Sequence, residues 1–214
     1  MFSGLSVSEL IVVLISIVIS LSIHEAMHGF VAHWLGDSTA QDMGRLTLNP
    51  LKHIDIVTTI LLPLVLILTI GTPFFAAKPV PFNPNRVRYG EYGVALVGIA
   101  GPLTNLVLAC LGALFIRIWI PHASTVVIND LALFTLVNIG FFVFNMIPFP
   151  PLDGSRLLYA FAPEPLQRIM AQIEAAGFLV ILIVIIFAIQ FIGPTLGNIE
   201  DSLFRVLTGV SLGV

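Results

Sequence analysis

Charged side chains are missing from long stretches of this sequence, and the spacing of these stretches predicts the elements of the fold. Four intervals contain no Asp, Glu, Lys or Arg, and they are residues 56–77, 92–116, 131–152 and 175–199. A fifth apolar stretch runs from Leu10 to Leu35 and is interrupted by one acid, Glu25. Because a helix needs about 20 apolar residues to cross the hydrocarbon layer of a bilayer, the pattern predicts an all-α polytopic membrane protein.

Composition supports a membrane location and excludes several other classes of protein. Hydrophobic residues make up 57% of the chain and charged residues only 10%, whereas a soluble domain has about 25% charged residues. This excludes a water-soluble globular domain, a disordered chain and a coiled coil. The formal net charge of −3 argues against a nucleic-acid partner, because binding to phosphates needs a basic surface. The single cysteine, Cys110, cannot form an internal disulfide or a thiolate metal site.

The first apolar stretch carries ionisable side chains in the pattern H-E-x-x-H, formed by His24, Glu25 and His28. On a helix the two histidines are one turn apart on the same face, so one zinc ion could bind both imidazoles. Glu25 lies beside them and could take a proton from water. The alternative is that these residues snorkel to the interface or pair with another buried group. His33 is on the opposite side of the helix from His24 and is predicted not to bind the same ion.

A second polar group follows the apolar interval 131–152. Three prolines within residues 148–151 cannot continue a helix, and extended backbone at membrane depth is tolerated only inside protein or beside a wet cavity. The segment delivers the carboxylate of Asp153 and the amide of Asn145. Catalytic zinc typically has three protein ligands, and Asp153 would complete the set with the two histidines. Taken alone, Asp153 could instead cap the following helix, and Asn145 could bond to its own helix backbone.

With these motifs the chain resembles the site-2 protease family of intramembrane zinc metalloproteases. Three motifs match in order and spacing, and they are His24-Glu25-x-x-His28, Ala100-Gly101-Pro102-Leu103-Thr104-Asn105, and Asn145-x-x-Pro148 through Leu152-Asp153-Gly154. The resemblance implies that His24, His28 and Asp153 bind one zinc ion and that Glu25 is the catalytic base. It also implies that Asn145 lies near the substrate carbonyl. The stretch 36–50 is similar to the small branch of the family, which lacks accessory domains.

The resemblance implies a zinc-dependent endopeptidase that hydrolyses peptide bonds within or near transmembrane segments of other membrane proteins. Its expected partners are these substrates and the lipid bilayer, with no nucleic acid. The alternative is a membrane metal-binding protein or transporter, which also needs buried histidine and aspartate ligands. A transporter would more naturally distribute its ligands along a path, often within inverted repeats, and no internal repeat is visible. Substrate identity, regulation and oligomeric state stay open.

Gly101 and Asn105 have a simpler interpretation from spacing alone. They are four residues apart and therefore share one face of a helix. A small residue on such a face lets a neighbouring helix approach closely. Helix packing is therefore the favoured role for this pair, ahead of direct catalysis.

The number of membrane crossings restricts the topology. If all three charge-free intervals between His28 and Asp153 crossed the bilayer, the two residues would lie at opposite faces. One interval must therefore not cross, and 56–77 is predicted to be re-entrant because it contains two prolines and a glycine. This leaves four spanning helices. The alternative is that 56–77 crosses and another segment is broken.

The re-entrant prediction also gives an orientation. Of the nine Lys and Arg residues, only Arg117 and Arg205 would lie on the side opposite the candidate site. Because positive residues accumulate on the cytoplasmic side of a membrane, we expect a multi-pass protein of a prokaryotic cell membrane whose site faces the cytoplasm.

The whole chain, 1–214, is predicted to form one membrane-embedded domain. Its four parts are the first helix (1–35), a short strand with the re-entrant segment and a loop (36–92), two core helices that end in the Leu-Asp-Gly motif (93–154), and C-terminal helices (155–214). Residues 44–49 read as an alternating β segment. We hypothesise that its edge pairs with an extended substrate.

Overall fold

The computed structural model describes residues 5–55, 59, 78–119 and 122–210. Within these residues the chain forms α1 (Val7–Trp34), α2 (Thr39–Asp42), α3 (Glu91–Trp119), α4 (Thr125–Asn145), α5 (Gly154–Phe161), α6 (Glu164–Ala175) and α7 (Phe178–Thr208). Two short 3₁₀ turns, Pro50–Lys52 and Pro84–Arg86, lie between α2 and α3. The predicted all-α class is confirmed for the part of the chain that is described.

Three of the helices, α1, α3 and α4, are long and apolar enough to cross a membrane. The first of them begins at a capping box, in which the Ser6 hydroxyl accepts the Glu9 N–H and the Glu9 carboxylate accepts the Ser6 N–H. Such a cap satisfies N–H groups that have no partner in the first turn of a helix. The fourth spanning helix predicted over 175–199 stays a prediction.

The helices α1 and α3 run antiparallel. His28 contacts the backbone of Val97 near the start of α3, whereas His24, one turn earlier on α1, contacts Asn105 two turns further along α3. The start of α3 therefore lies beside the end of α1. A hydrogen bond from the Arg88 N–H to the Leu35 carbonyl, 2.9 Å long, joins the chain at this end.

The helices α3 and α4 are antiparallel as well. Asn105 of α3 bonds to Asn138 of α4, and Gly112, further along α3, lies against Thr135, which is earlier on α4. The end of α4 consequently returns to the end of the bundle where α1 stops. Two helices, α3 and α4, thus carry the chain away from this end and back to it.

Apolar side chains fill the spaces between these helices. Ile17 of α1 packs with Val137 of α4, and on the other side of α4 Ile139 packs with Ala109 of α3 and Phe204 of α7. Burying a side chain of this size contributes about 1.5–3 kcal/mol relative to exposure to water. Inside a bilayer that gain is smaller, so close packing and buried hydrogen bonds must supply more of the stability.

The predicted β segment over residues 44–49 is wrong, because this stretch forms a turn instead. Gly44 has a φ of +63°, a left-handed conformation that glycine tolerates. The Thr47 N–H donates to the Arg45 carbonyl over 3.0 Å, and the Asn49 N–H donates to the Thr47 hydroxyl over 3.1 Å. Local bonds therefore outcompete the strand that the alternation suggested, and the described residues contain no strand. The hypothesis of substrate pairing at this edge loses its basis.

Apart from Thr59, the predicted re-entrant segment 56–77 lies outside the described residues. The residues that flank it are joined directly, because the Lys78 N–H donates to the His53 carbonyl over 2.9 Å. The Arg45 guanidinium donates to the Lys78 carbonyl, also over 2.9 Å. The residues that precede and follow this segment therefore lie side by side.

Asp37 ties the end of α1 to the segment that precedes α3. Its buried carboxylate accepts hydrogen bonds from the Thr39 hydroxyl at 2.5 Å and from the Asn83 N–H at 2.6 Å. Burial alone would raise the pKa of Asp37, but these hydrogen bonds and the nearby charge of Arg86 outweigh it and hold the pKa below its usual value. The ionised carboxylate thus anchors Asn83 beside the end of α1.

Candidate metal centre

The long helix α1 places His24 and His28 one turn apart, and both imidazoles are buried in the bundle. Only 4% of His24 and 8% of His28 are exposed. Their Nε2 atoms lie 3.0 Å apart. The spacing in the sequence therefore brings the two nitrogens together as predicted. His33, by contrast, is exposed.

The turn after α4 brings Asp153 to the histidines. One carboxylate oxygen of Asp153 lies 3.0 Å from the Nε2 of His24 and 3.4 Å from the Nε2 of His28. Asp153 does occupy the N-cap position of α5, but its side chain makes no capping bond to that helix. The carboxylate is directed to the histidines instead, across 125 residues of sequence from His28.

Gly154 allows this turn to close. A Cβ atom at this position would lie 2.6 Å from the Met146 carbonyl carbon and 2.8 Å from the Ile147 oxygen. Real Cβ atoms do not approach backbone so closely, so any other residue would push the turn open. The glycine that follows Asp153 therefore has a steric function, because it lets the chain fold back and present the carboxylate.

The three donor atoms of His24, His28 and Asp153 fit a zinc ion. They lie 3.0–3.4 Å from one another. Ligands at 2.0–2.2 Å in a tetrahedral arrangement are separated by about 3.3–3.6 Å. Two imidazole nitrogens and one carboxylate oxygen also form the ligand set of several catalytic zinc sites, which leave the fourth position open. The arrangement could therefore hold one ion and still admit water or a substrate carbonyl.

Each histidine has a second partner on α3. The Nδ1 of His28 lies 2.7 Å from the Val97 carbonyl, and the Nδ1 of His24 lies 2.6 Å from the side-chain oxygen of Asn105. Since a carbonyl can only accept, the Nδ1 of His28 must carry a proton, and in the neutral imidazole its Nε2 presents a lone pair. Outer partners of this kind orient a metal-binding imidazole and fix its tautomer.

The structure extends the packing role that sequence spacing favoured for Gly101 and Asn105. Gly101 does allow a close approach, but the atoms that approach are the imidazoles of the two histidines. Asn105 is fully buried and bonds to His24. The spacing of four residues showed that they share a face, whereas only the fold shows that this face covers the metal centre.

The variant Gly101→Ala is expected to weaken zinc binding at least tenfold, as loss of an outer partner does. A Cβ atom here would lie 2.5 Å from the Nε2 of His28 and 2.6 Å from the Nε2 of His24, on the side where an ion would bind. Zinc affinity of the purified variant, measured by competition with a chelator, checks this. Gly140→Ala is the matched control, because its Cβ would meet only Glu200 at 3.7 Å. Wild-type affinity in Gly101→Ala would show that the ion binds elsewhere.

Glu25 is next to His24 in sequence, and its carboxylate accepts a hydrogen bond from the loop that precedes α3. One oxygen accepts the backbone N–H of Val80 over 2.8 Å. Val80 lies three residues before Asn83, which Asp37 anchors, so the loop before α3 positions the candidate base. Sequence reasoning missed Val80 because a backbone donor leaves no signature in the pattern of side chains.

The amide of Asn145 lies at the end of α4, where its nitrogen donates to the Phe141 carbonyl over 3.0 Å. This is the bond to its own helix that the sequence left open as an alternative. A primary amide carries two protons, so one can still serve another acceptor. Its catalytic role stays a prediction.

Comparisons with known proteins agree with this geometry. A family model described as "Peptidase family M50" matches residues 120–189. "Putative zinc metalloprotease YwhC" of Bacillus subtilis (strain 168) is 34% identical over 207 residues, which cover 92% of this chain and 90% of the relative. "Putative zinc metalloprotease Rip2" of Mycolicibacterium smegmatis is 32% identical over 180 residues, which cover 84% of this chain and 68% of the relative. No solved structure matches the chain.

Both relatives are named as putative zinc metalloproteases, and the three donor atoms are suited to that activity. The relative from Bacillus subtilis matches along nearly the whole chain. The helices α1, α3 and α4 are also of the length and composition that a membrane protein needs. The chain therefore belongs to peptidase family M50, the site-2 proteases, and is a zinc metalloprotease of the membrane.

Proposed function

We propose that the chain hydrolyses peptide bonds within or near transmembrane segments of other membrane proteins, at a zinc ion held by His24, His28 and Asp153. One observation supports this above all others. Three donor atoms from two distant parts of the chain converge within 3.0–3.4 Å, and two of them lie with Glu25 on a helix long enough to cross a membrane. The metal-binding or transport alternative gains no similar support, because these donors meet at one point rather than along a path.

Zinc, when bound, supplies a Lewis acid that polarises the scissile carbonyl and makes water a nucleophile near neutral pH. Glu25 takes the proton from the attacking water and passes it to the leaving amine. A positioned base of this kind typically contributes about 10²–10⁴-fold in rate. The N–H of Val80 holds one oxygen of the Glu25 carboxylate and leaves the other available for the proton.

Asn145 is the proposed hydrogen-bond donor to the oxygen of the reacting carbonyl. Its amide nitrogen keeps one proton for the Phe141 carbonyl and directs the other to the oxygen on which negative charge develops. A single donor to such an oxygen contributes about 3 kcal/mol in other hydrolases. The helix bond to Phe141 serves here to hold the amide in place.

A substrate helix must unwind before its peptide bonds can reach this site, because its carbonyls are already bonded along the helix. The two histidines are almost fully buried, whereas 22% of the Asp153 side chain is exposed. We infer that water and the unwound substrate enter from the side of Asp153.

The site is proposed to face the cytoplasm. Single cysteines placed at Lys52 and Thr125, in a background in which Cys110 is replaced by Ser, test this with a membrane-impermeant maleimide. The Lys52 position lies on the side of the site, and Thr125 is exposed at the opposite end of the bundle. We expect labelling of intact cells at the Thr125 position only, and of both positions after lysis. Labelling of intact cells at the Lys52 position alone would reverse the orientation.

The proposed activity can be tested with the purified protein in liposomes and a set of single-span peptides. We expect cleavage at bonds within or close to the apolar span, loss of cleavage with a chelator, and recovery when zinc is restored. Mass spectrometry of the fragments locates the cleaved bond. Zinc flux across the liposomes without any cleaved peptide would favour transport and would refute the proposal.

A further inference from the structure

We infer that Asn105 and Asn138 form a buried relay that fixes the tautomer of His24 and so prepares its Nε2 to bind metal. The inference rests on the proposed zinc site and adds a positioning residue, Asn138, that touches neither the metal donors nor the histidines. Asn138 lies on α4, whereas His24 lies on α1 and Asn105 on α3. The relay thus joins the three described helices that are long and apolar enough to cross a membrane.

The relay consists of three consecutive hydrogen bonds. The side-chain oxygen of Asn105 lies 2.6 Å from the Nδ1 of His24. The side-chain nitrogen of Asn105 donates to the side-chain oxygen of Asn138 over 3.0 Å. The side-chain nitrogen of Asn138 donates to the backbone carbonyl of Phe134 over 2.9 Å. Neither asparagine has any exposed surface.

The carbonyl at the end of the relay determines the direction of every bond in it. Because the Phe134 carbonyl can only accept, Asn138 must present its nitrogen to it and its oxygen to Asn105. Asn105 must then present its nitrogen to Asn138 and its oxygen to His24. The Nδ1 of His24 must therefore be the donor, and in the neutral imidazole its Nε2 is left with a lone pair. Rotating either amide would place two donors or two acceptors face to face.

His28 reaches the same state by a shorter route, because its Nδ1 donates directly to the Val97 carbonyl. The hydrogen bonds that start at the two Nδ1 atoms thus both lead to a backbone carbonyl. In the neutral imidazoles, both Nε2 atoms present lone pairs on the side of the Asp153 carboxylate. When both imidazoles are neutral, these three acceptors lie within 3.0–3.4 Å of one another, a spacing at which they can bind one cation together. The relay therefore orients the neutral imidazole of His24 to bind a metal ion.

A purely structural role for the asparagines makes a different prediction. Amide pairs between transmembrane helices also hold helices together. Such a pair would be indifferent to its direction and to the tautomer of His24. The relay, in contrast, requires a specific direction, so the tautomer is the measurement that separates the two roles.

The first test uses wild-type protein, freed of metal and labelled with nitrogen-15 in its histidines. Nitrogen chemical shifts distinguish the Nδ1–H tautomer from the Nε2–H tautomer of a neutral imidazole. We expect the neutral form of His24 to be the Nδ1–H tautomer. Finding the Nε2–H tautomer would overturn the inference without any variant, and it would leave the assignment of zinc ligands untouched.

The second test compares Asn138→Thr with Asn138→Val, which have the same shape and differ only in a hydroxyl group. A threonine hydroxyl can donate to the carbonyl four residues earlier, as Thr135 does to Leu131 over 2.7 Å, and can accept from Asn105. We expect Asn138→Thr to keep the tautomer of His24. We expect Asn138→Val to give a mixture of tautomers and to weaken zinc binding about tenfold.

The matched control is Thr135→Val, which removes a fully buried hydroxyl three residues earlier on α4 that has no bond to the relay. We expect this variant to retain both the tautomer and the zinc affinity of the wild type. Equal tautomers and equal zinc affinities in Asn138→Thr and Asn138→Val would overturn the inference. Absence of zinc binding in the wild type would instead overturn the proposed function, so the two failures are distinguishable.

Discussion

Glu25→Gln is expected to abolish peptide hydrolysis and to leave zinc binding intact. The change removes the carboxylate that accepts the proton of the attacking water, and loss of such a base costs about 10²–10⁴ in rate. The side-chain amide oxygen of the variant can still accept the N–H of Val80, so the loop contact seen at 2.8 Å in the wild type is expected to persist. Cleavage of a single-span peptide and the zinc content of the same preparation measure the two effects separately.

A control for the chemical change itself is Glu164→Gln. Glu164 is an exposed residue of α6 that pairs with Arg168, away from the metal centre. We expect this variant to cleave at the wild-type rate. Cleavage by Glu25→Gln at the rate of this control would show that another group accepts the proton.

Asp153→Ala is expected to lose both zinc and activity. The carboxylate is the only charged group among the three donors, and it lies 3.0 and 3.4 Å from the two imidazole nitrogens. Loss of an outer partner already costs about 10–100-fold in metal affinity, so loss of a ligand should cost more. Competition with chelators of graded affinity measures the effect on zinc, and peptide cleavage measures the effect on activity.

Asp130→Ala is the matched control, since Asp130 lies early in α4, at the end of the bundle away from the metal centre. We expect it to retain zinc and activity. If Asp153→Ala bound zinc as tightly as this control, the carboxylate would not be a ligand. If it lost activity but kept zinc, Asp153 would have a role in the reaction rather than in binding the metal.

The sequence was sufficient to predict the elements that generate the metal centre. Helical spacing placed His24 and His28 on one face, and the run of prolines showed that the chain must turn before Asp153. The need for both groups at one side of the membrane then limited the number of crossings between them. The placement of the three donor residues succeeds because helical geometry and proline chemistry are strong constraints that act on local sequence, whereas the number of crossings stays a prediction.

The outer contacts of the centre could not be predicted in the same way. The bond between Val80 and Glu25 uses a backbone N–H, which every residue other than proline can supply. The bond between Asn138 and Asn105 joins two helices whose relative rotation no periodicity specifies. Asn105 itself lay within a motif, but its spacing from Gly101 favoured helix packing over a role at the metal centre.

The wrong prediction of a β segment shows that a short sequence pattern can also predict an element that does not form. Alternation over residues 44–49 is a short signal that competes with turn chemistry at both of its ends. Gly44 takes a left-handed conformation, and the side chain of Asn49 accepts the Leu51 N–H over 3.1 Å to begin a 3₁₀ turn. Local bonds of this kind are decided by single residues, and here they outweigh the alternation.

The central claim is that His24, His28 and Asp153 together hold one zinc ion, and X-ray absorption at the zinc edge tests it most directly. For purified protein that carries one zinc per chain, we predict a first shell of nitrogen and oxygen at about 2.0–2.2 Å, with the outer scattering of two imidazoles. We predict that a variant with Asp153→Ala, loaded at high zinc, keeps the imidazole scattering but loses one oxygen. A wild-type spectrum without imidazole scattering would contradict the account.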